Sequence, residues 1–292
     1  MTYTLDFQFA PEVDWRRLQA YFAARRHYEI DGYEAFYRNP DTLVMFLFSF
    51  ERGRWSPLRK NIGAGTFSLQ YLRAGCFGLE AERELSAFMA AFTARIEDPQ
   101  IDGMGDGPYS GDGFLRGWNF GNELAVRATL SREPDLDIPT LPAAVLTDVW
   151  RWNYASTADR MRFRDRRFIP HITLFRRSGQ PGRFVIWPSG MPVSLPRVDY
   201  VMIGRGYKPT DQSFGLVPWA ELVEALAESG FDTTKNPIEL EYFRTPKDVE
   251  RWLATIPRAD LGSLQRIEGD AVMDAETVAA ARAAGPLSTS PV

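Results

Sequence analysis

Between Asp98 and Leu130 the chain reads DPQIDGMGDGPYSGDGFLRGWNFGNELAVRATL, with glycine at 103, 105, 107, 111, 113, 117 and 121. Glycine reaches positive φ without steric cost, so this density predicts a loop over 102–121 on an unusual backbone path. The loop opens into an amphipathic segment through Trp118, Asn119, Gly121, Asn122 and Glu123, with a helix expected from about Asn119 to Leu130. A glycine loop entering a helix presents backbone N–H groups suited to an anion.

The elements before the loop follow from side-chain periodicity. Thr4–Phe9 alternates weakly and is expected as an edge strand. Asp14 suits a helix N-cap, with Trp15, Leu18 and Phe22 on one face. Asp31-Gly32 between two aromatic-rich runs signals a two-residue hairpin, and Asn39-Pro40-Asp41 a second turn. Thr42–Phe50 is apolar at almost every position and predicts a central strand buried on both faces. Gly65–Leu72 predicts another strand. Leu79–Ile96 predicts a long helix from the spacing of Leu85, Phe88, Met89, Phe92 and Ile96, with Glu80, Glu82 and Glu84 near its positive end.

After the loop, Pro134, Pro139 and Pro142 mark an extended link. A helix over Ala143 to about Arg164 follows, then a strand-like run FIPHITLF, with Pro170 confining it to an edge or a strand start. Arg183–Trp187, Val198–Ile203, Ser213–Val217 and Ile238–Phe243 read as strands. Helices are expected from Pro218-Trp219, from Pro246 and near Glu276–Ala283. Strands interleaved with packed helices predict an α+β fold with mixed or antiparallel sheets. The boundaries are an N-terminal lobe over 1–133, a C-terminal lobe over 134–284 and a disordered tail over 285–292. One continuous domain and two similar lobes both remain open.

With 292 residues, 45% of them hydrophobic and 25% charged, the chain can bury a sizeable core, and its net charge of −4 argues against a nucleic-acid-coating protein. Cys76 is its single cysteine, which excludes an internal disulfide framework or a cysteine zinc site. The first residues lack the basic-then-apolar pattern of a signal peptide, and the longest apolar run, Leu43–Phe48, is far short of a membrane span. These features predict a cytoplasmic protein.

Charge is unevenly placed. Glu97–Asp148 holds ten acids and three arginines, a local balance of −7, and Trp150–Arg183 holds nine arginines and two acids, a balance of +7. Either the blocks are solvated surface or they bind a charged macromolecule. On the binding reading, Asp102, Asp106, Asp112 and Glu123 form one partner-binding group, and Arg160, Arg162, Arg164, Arg166 and Arg167 the other. With Trp150, Trp152, Tyr154 and Phe163 nearby, the arginine block alternatively suits RNA.

No catalytic residue, metal site or cofactor is assigned. The acids at 102, 106 and 112 do not match an EF-hand, and turn chemistry explains Asp-Gly pairs equally well. The glycines form no phosphate-binding GxxxxGK[ST] loop. Cys76 lies between Gly75 and Phe77 with no base nearby and reads as an inert buried thiol. Asn119, Asn122 and Glu123 share a helix face, either to grip a partner or to hold the loop.

Two resemblances bear on function. Pro170-His171-Ile172-Thr173-Leu174 is similar to half of the paired His-x-Thr/Ser motif of the 2H phosphoesterases, which implies phosphodiester cleavage by His171 and Thr173. The only other histidine, in His27-Tyr28-Glu29, lacks the hydroxyl residue two places on. Separately, Asn39-Pro40-Asp41-Thr42, Gly117-Trp118-Asn119-Phe120-Gly121-Asn122-Glu123, Val149-Trp150-Arg151-Trp152-Asn153 and Trp187-Pro188 before the strand at Val198 together resemble uncharacterised bacterial proteins of polymorphic-toxin and secretion-effector neighbourhoods. That resemblance implies an immunity-type role, in which a non-catalytic protein occludes the active site of a cognate toxin.

Overall fold

Alternation along the first strands decides the architecture of the N-terminal half. In the computed structural model, Thr2–Phe9 (β1) turns Tyr3, Leu5 and Phe7 into the core and Thr2, Thr4, Asp6 and Gln8 outward. The structure describes residues 1–10, 13–52, 62–100, 102–163, 166–188, 191–204, 214–241, 247–257 and 263–285. The fold is α+β and divides into two compact units. One joins residues 1–147 to the C-terminal segment from Asp270, and the other spans Asp148–Gly269.

The first unit is built on a six-stranded, fully antiparallel sheet. Its strands are β1, Tyr28–Asp31 (β2), Glu34–Arg38 (β3), Met45–Arg52 (β4), Ile62–Gln70 (β5) and Ala94–Glu97 (β6), in the order β2-β3-β4-β5-β1-β6. Trp15–Ala23 (α1), Cys76–Ala91 (α2) and Gly111–Arg132 (α3) send aromatic side chains onto one face of it. Phe22 of α1 and Phe88 of α2 lie 5.3 and 4.8 Å from Phe48 between ring centroids, and Phe114 of α3 lies 5.2 Å from Tyr3. Such pairs add about 0.5–1.5 kcal/mol each beyond their area burial.

The C-terminal segment closes this unit. Met273–Asp274 (β15) pairs in parallel with Thr140–Leu141 (β7), and Ala275–Ala283 (α7) packs Val278 and Ala281 against Val126 and Leu130 of α3. The Asp274 carboxylate accepts the Gly75 N–H at 2.7 Å, at the start of α2. Burial pushes this carboxyl above the ordinary range, while the Gly75 bond favours its charged form.

The second unit has its own core. Ala143–Phe163 (α4) begins in the first unit and continues into the second. Thr173–Arg177 (β8), Gln180–Pro188 (β9), Tyr200–Gly204 (β11), Phe214–Pro218 (β12) and Leu264–Arg266 (β14) form a mixed sheet in the order β12-β11-β9-β8-β14, with β9 and β11 parallel. Val193–Leu195 (β10) pairs with Ile238–Leu240 (β13). Trp219–Glu228 (α5) buries Leu222 and Leu226, and Lys247–Thr255 (α6) buries Val249. The two main sheets differ in strand number, order and direction, so the units do not share a topology.

Several expectations are corrected. β1 is an interior strand between β5 and β6, because Ala94–Glu97 is extended and pairs with it instead of finishing the helix. The helix therefore ends at Ala91, and Ile96 belongs to the sheet core. The glycine loop stops at Ser110, whose hydroxyl caps α3 by accepting the Gly113 N–H. Within α3, glycine serves close approach and not positive φ. A Cβ at Gly117 would sit 2.8 Å from the Gly103 Cα, and one at Gly121 would sit 2.1 Å from the Tyr71 hydroxyl. β4 is buried on one face only, alternating Phe46, Phe48 and Phe50 with Met45, Leu47 and Ser49. The run FIPHITLF becomes strand only at Thr173. The tail beyond Gly285, Pro246 and Ser213 lie outside the described residues.

The packing of α2 on α3 yields the first prediction. A Cβ at Gly78 would meet the Trp118 ring at 2.4 Å, and Trp118 is fully buried. Gly78→Ala should lower stability in urea denaturation, because overpacking by about 1–3 kcal/mol outweighs the gain in helix propensity.

Candidate functional site

The side of the six-stranded sheet opposite the helices carries the most distinctive surface in the first unit. Register sets its rows. Glu29, Phe36, Leu47, Ser68 and Thr4 stand in line across β2, β3, β4, β5 and β1. The neighbouring row is Asp31, Glu34, Ser49, Thr66, Asp6 and Glu97. Phe36 is 39% and Met45 36% exposed, unusual for large apolar side chains on strands. With Leu47 they floor a groove of about 540 Å3, walled by Thr2, Thr4, Ser68 and Gln70 and bordered by Arg38 and Arg73.

The acidic row is electrostatically costly as it stands. Asp31 lies directly opposite Glu34, and Asp6 directly opposite Glu97. Like charges in such cross-strand pairs destabilise a sheet. Among the described residues, only Asp6 of these four has a relieving hydrogen bond, accepting the Thr66 hydroxyl at 2.8 Å. The face therefore offers an apolar strip beside a band of four carboxylates, a pattern that a basic surface with an apolar centre would complement.

The acids singled out in the glycine stretch are disposed differently. Asp102, Asp106 and Asp112 are exposed, and Glu123 is half-buried on α3. Asp106 lies 3.5 Å from Arg95 in an exposed ion pair, and the Asp102 carbonyl accepts from Arg116. The loop's backbone N–H groups serve a carboxylate of the protein itself. Asp98, buried, accepts Tyr3 Oη at 2.8 Å, the Gln100 N–H at 3.0 Å and the Met104 N–H at 2.7 Å. A Cβ at Gly103 would lie 1.9 Å from the Asp98 carboxylate, which is why glycine stands there. Burial, then the Asp98 bond and charge, push the Tyr3 hydroxyl far up. Among the described residues, no group of three or more His, Cys, Asp or Glu is placed to hold a metal ion.

Asn122 turns out to hold the loop's neighbour. Its Oδ1 accepts the Leu72 N–H at 2.8 Å and its Nδ2 donates to the Arg73 carbonyl at 2.7 Å, fixing a turn in which Leu72 has φ +64°. Glu80, Glu82 and Glu84 also work locally and not on the helix dipole, since α2 begins at Cys76. Glu80 is fully buried and accepts Tyr37 Oη at 2.7 Å and Asn39 Nδ2 at 2.8 Å. Glu84 accepts from Arg25 and Tyr28, and Glu82 from Ser86.

In the second unit the arginines divide by task. Arg160 donates to Ser156 Oγ and the Asn153 carbonyl along α4. Arg167 pairs with Glu239 and Glu241. Arg162 is exposed over the Phe163 ring, and Arg166 is exposed. Arg164 lies outside the described residues. His171 precedes β8, so it does not share a strand with Thr173, and both are half-buried. His27 belongs to the first unit, with φ +70° and its ring edge on Tyr37.

The open-face residues Asp6, Glu34, Phe36, Leu47 and Glu97 escaped sequence reasoning. The signal that finds them is the period-two alternation of β1 and β3, obscured in β4 by Met45 and Leu47 on the outward side. Among the described residues, no helix is long and apolar enough to cross a membrane. No protein-family model matches this chain, and neither a curated protein nor a solved structure matches it.

Two outcomes are expected from this geometry. Phe36→Thr should change stability by no more than about 0.5 kcal/mol, as for other exposed positions, whereas Phe48→Ala on the opposite face should cost about 3–5 kcal/mol in denaturant titration. Cys76 is buried, and burial pushes its thiol far up, followed by the charges of Asp274 and Glu80. A disulfide reagent at neutral pH should therefore label Cys76 only at the rate at which the first unit opens, and urea should restore full reactivity.

Proposed function

We propose that this protein is a non-catalytic binding protein that docks a basic protein partner on the open sheet face of its first unit. We further propose that the partner is a cognate bacterial toxin, which the protein neutralises as an immunity protein by covering its active site. The observation that carries this reading is the paired row of that face. An apolar strip of Phe36, Leu47 and Met45 supplies desolvation, and the carboxylates of Asp6, Asp31, Glu34 and Glu97 supply charge. A nucleic-acid-acting toxin needs a basic active site, and an acidic face suits its occlusion. The exposed Asp102, Asp106 and Asp112 add to the acidic character of the same unit. An immunity protein of this kind would act in the cytoplasm, before its toxin is exported.

The like-charge pairs make the reading testable in an unusual way. Glu34→Gln with Glu97→Gln removes one charge from each opposed pair. The free protein should gain about 0.2–1 kcal/mol per pair in thermal or urea denaturation. The same variant should bind the product of the adjacent gene more slowly, with a weaker salt dependence, and should lose growth rescue against it. Stabilisation with unchanged binding and rescue would move the docking surface elsewhere. No binding of the unmodified protein to that product, and no rescue, would overturn the immunity role itself.

A further inference from the structure

The second unit contains a pocket that the docking reading leaves unused. It has a volume of about 330 Å3, at the lower end of the range for small-molecule sites. Trp152 on α4, Ile172 ahead of β8 and Pro237 ahead of β13 supply apolar walls. Arg151, Arg183 and Arg197 reach it from three separate segments.

The walls are held before any ligand arrives. Trp152 Nε1 donates to the Pro170 carbonyl at 2.8 Å, which fixes the indole. Asn153, buried on the same helix, accepts the Ile172 N–H and donates to the Ile172 carbonyl, both at 3.0 Å. Arg183 Nε and Nη2 both donate to Asp199, at 3.1 and 2.9 Å, and the Arg183 backbone N–H does so at 2.8 Å. That leaves Arg183 Nη1 without a hydrogen-bond acceptor among the described residues. The Arg197 backbone N–H donates to Asn236 Oδ1 at 3.0 Å, while its side chain is exposed. Arg151 pairs with Asp148, but both are about two-thirds exposed, so an incoming anion can compete for the guanidinium.

Charge decides the class of ligand. Three guanidinium groups meet two carboxylates, Asp148 and Asp199, so the site retains one net positive charge. Arginine presents a planar fork that matches carboxylate and phosphate oxygens, and tryptophan offers a flat apolar surface. We propose that this pocket binds a small organic anion, a carboxylate or phosphate oxyanion carried on a flat ring. The oxyanion meets Arg197 and the unengaged donor of Arg183, and the ring lies against Trp152.

Titration calorimetry on the full chain tests this with four probes: benzoate, phenyl phosphate, inorganic phosphate and benzyl alcohol. Benzoate, phenyl phosphate or both should bind at least about tenfold more tightly than inorganic phosphate or benzyl alcohol, because ring and charge are both required. The stronger of the two ring anions identifies the oxyanion. Arg197→Ala, at an exposed position, should weaken that binding at least about fivefold. Arg251→Ala, exposed on α6 outside the pocket, should leave it unchanged. Failure of both ring anions to bind below about 10 mM, or equal binding by benzyl alcohol, overturns the proposal. Equal affinity in Arg197→Ala overturns it as well. Neither result touches the docking reading of the first unit, whose test uses a different surface and a protein partner.

Discussion

A strand must place consecutive side chains on opposite faces, and in the first unit that constraint decides nearly everything else. Along β1, β3, β4 and β5 the residues of one parity are Tyr3, Leu5, Phe7, Ala35, Tyr37, Phe46, Phe48, Phe67 and Leu69, all buried. An aromatic face of this size has to be covered, and α1, α2 and α3 cover it with Phe22, Phe88, Phe114 and Trp118. The residues of the other parity are then committed to the opposite side. Most are hydroxyl, amide or acidic, which suits water. Phe36, Met45 and Leu47 do not, and the sheet register sets them beside the carboxylate row.

The aromatic core also sets where polar groups are buried. Asp98, Glu80 and Asn122 each sit at an edge of the core, and each binds backbone or side-chain donors from a distant segment. A carboxylate in such a place is stabilising only while its donors stay in position, since hydrogen bonds to a charged group contribute about 1.5–3 kcal/mol and an unmet one costs at least as much. Asp98 therefore fixes the glycine loop, Glu80 fixes the Asn39-Pro40-Asp41 turn, and Asn122 fixes the Leu72 turn. The C-terminal segment adds a fourth such tie through Asp274 and Gly75. Loops that looked like free surface are thus bound to the core by single side chains.

The legible part of this fold is the part governed by local rules. The Asp14 cap, the turn at Asn39 and the long helix from Ala143 follow from capping, turn chemistry and periodicity, and the structure contains all three, with the hairpin expected at Asp31-Gly32 closing one residue later through Gly32-Tyr33. The errors share one cause, which is that tertiary partners change the meaning of a residue. Phe92 and Ile96 continue the helical spacing of α2, yet β1 offers Ala94–Glu97 a strand partner and the chain becomes extended. The glycines of α3 read as loop formers because their contacts, with Tyr3, Gly103 and Tyr71, lie in other segments. The return of the chain from Asp270 into the first unit has no local signature at all. At the candidate site, the acids of the glycine stretch drew attention by their density, whereas the carboxylates of the sheet face are dispersed over β1, β2, β3 and β6. They form a row only after register brings them together.

The same contrast separates the charged residues that hold the fold from those that remain available. Arg167 is engaged by Glu239 and Glu241, Arg25 by Glu84, and most of the Arg183 fork by Asp199. These pairs are fully accounted for by stability. Asp31 facing Glu34 and Asp6 facing Glu97 are not, because a sheet optimised for stability alone would place opposite charges or hydroxyls at such positions. A fold that retains repulsion on a solvent face, next to apolar side chains it also leaves uncovered, is weaker than its own alternatives. Such a deficit is tolerated because selection removes only what falls below the stability that function needs. The deficit is removed when cations from outside are brought between the carboxylates.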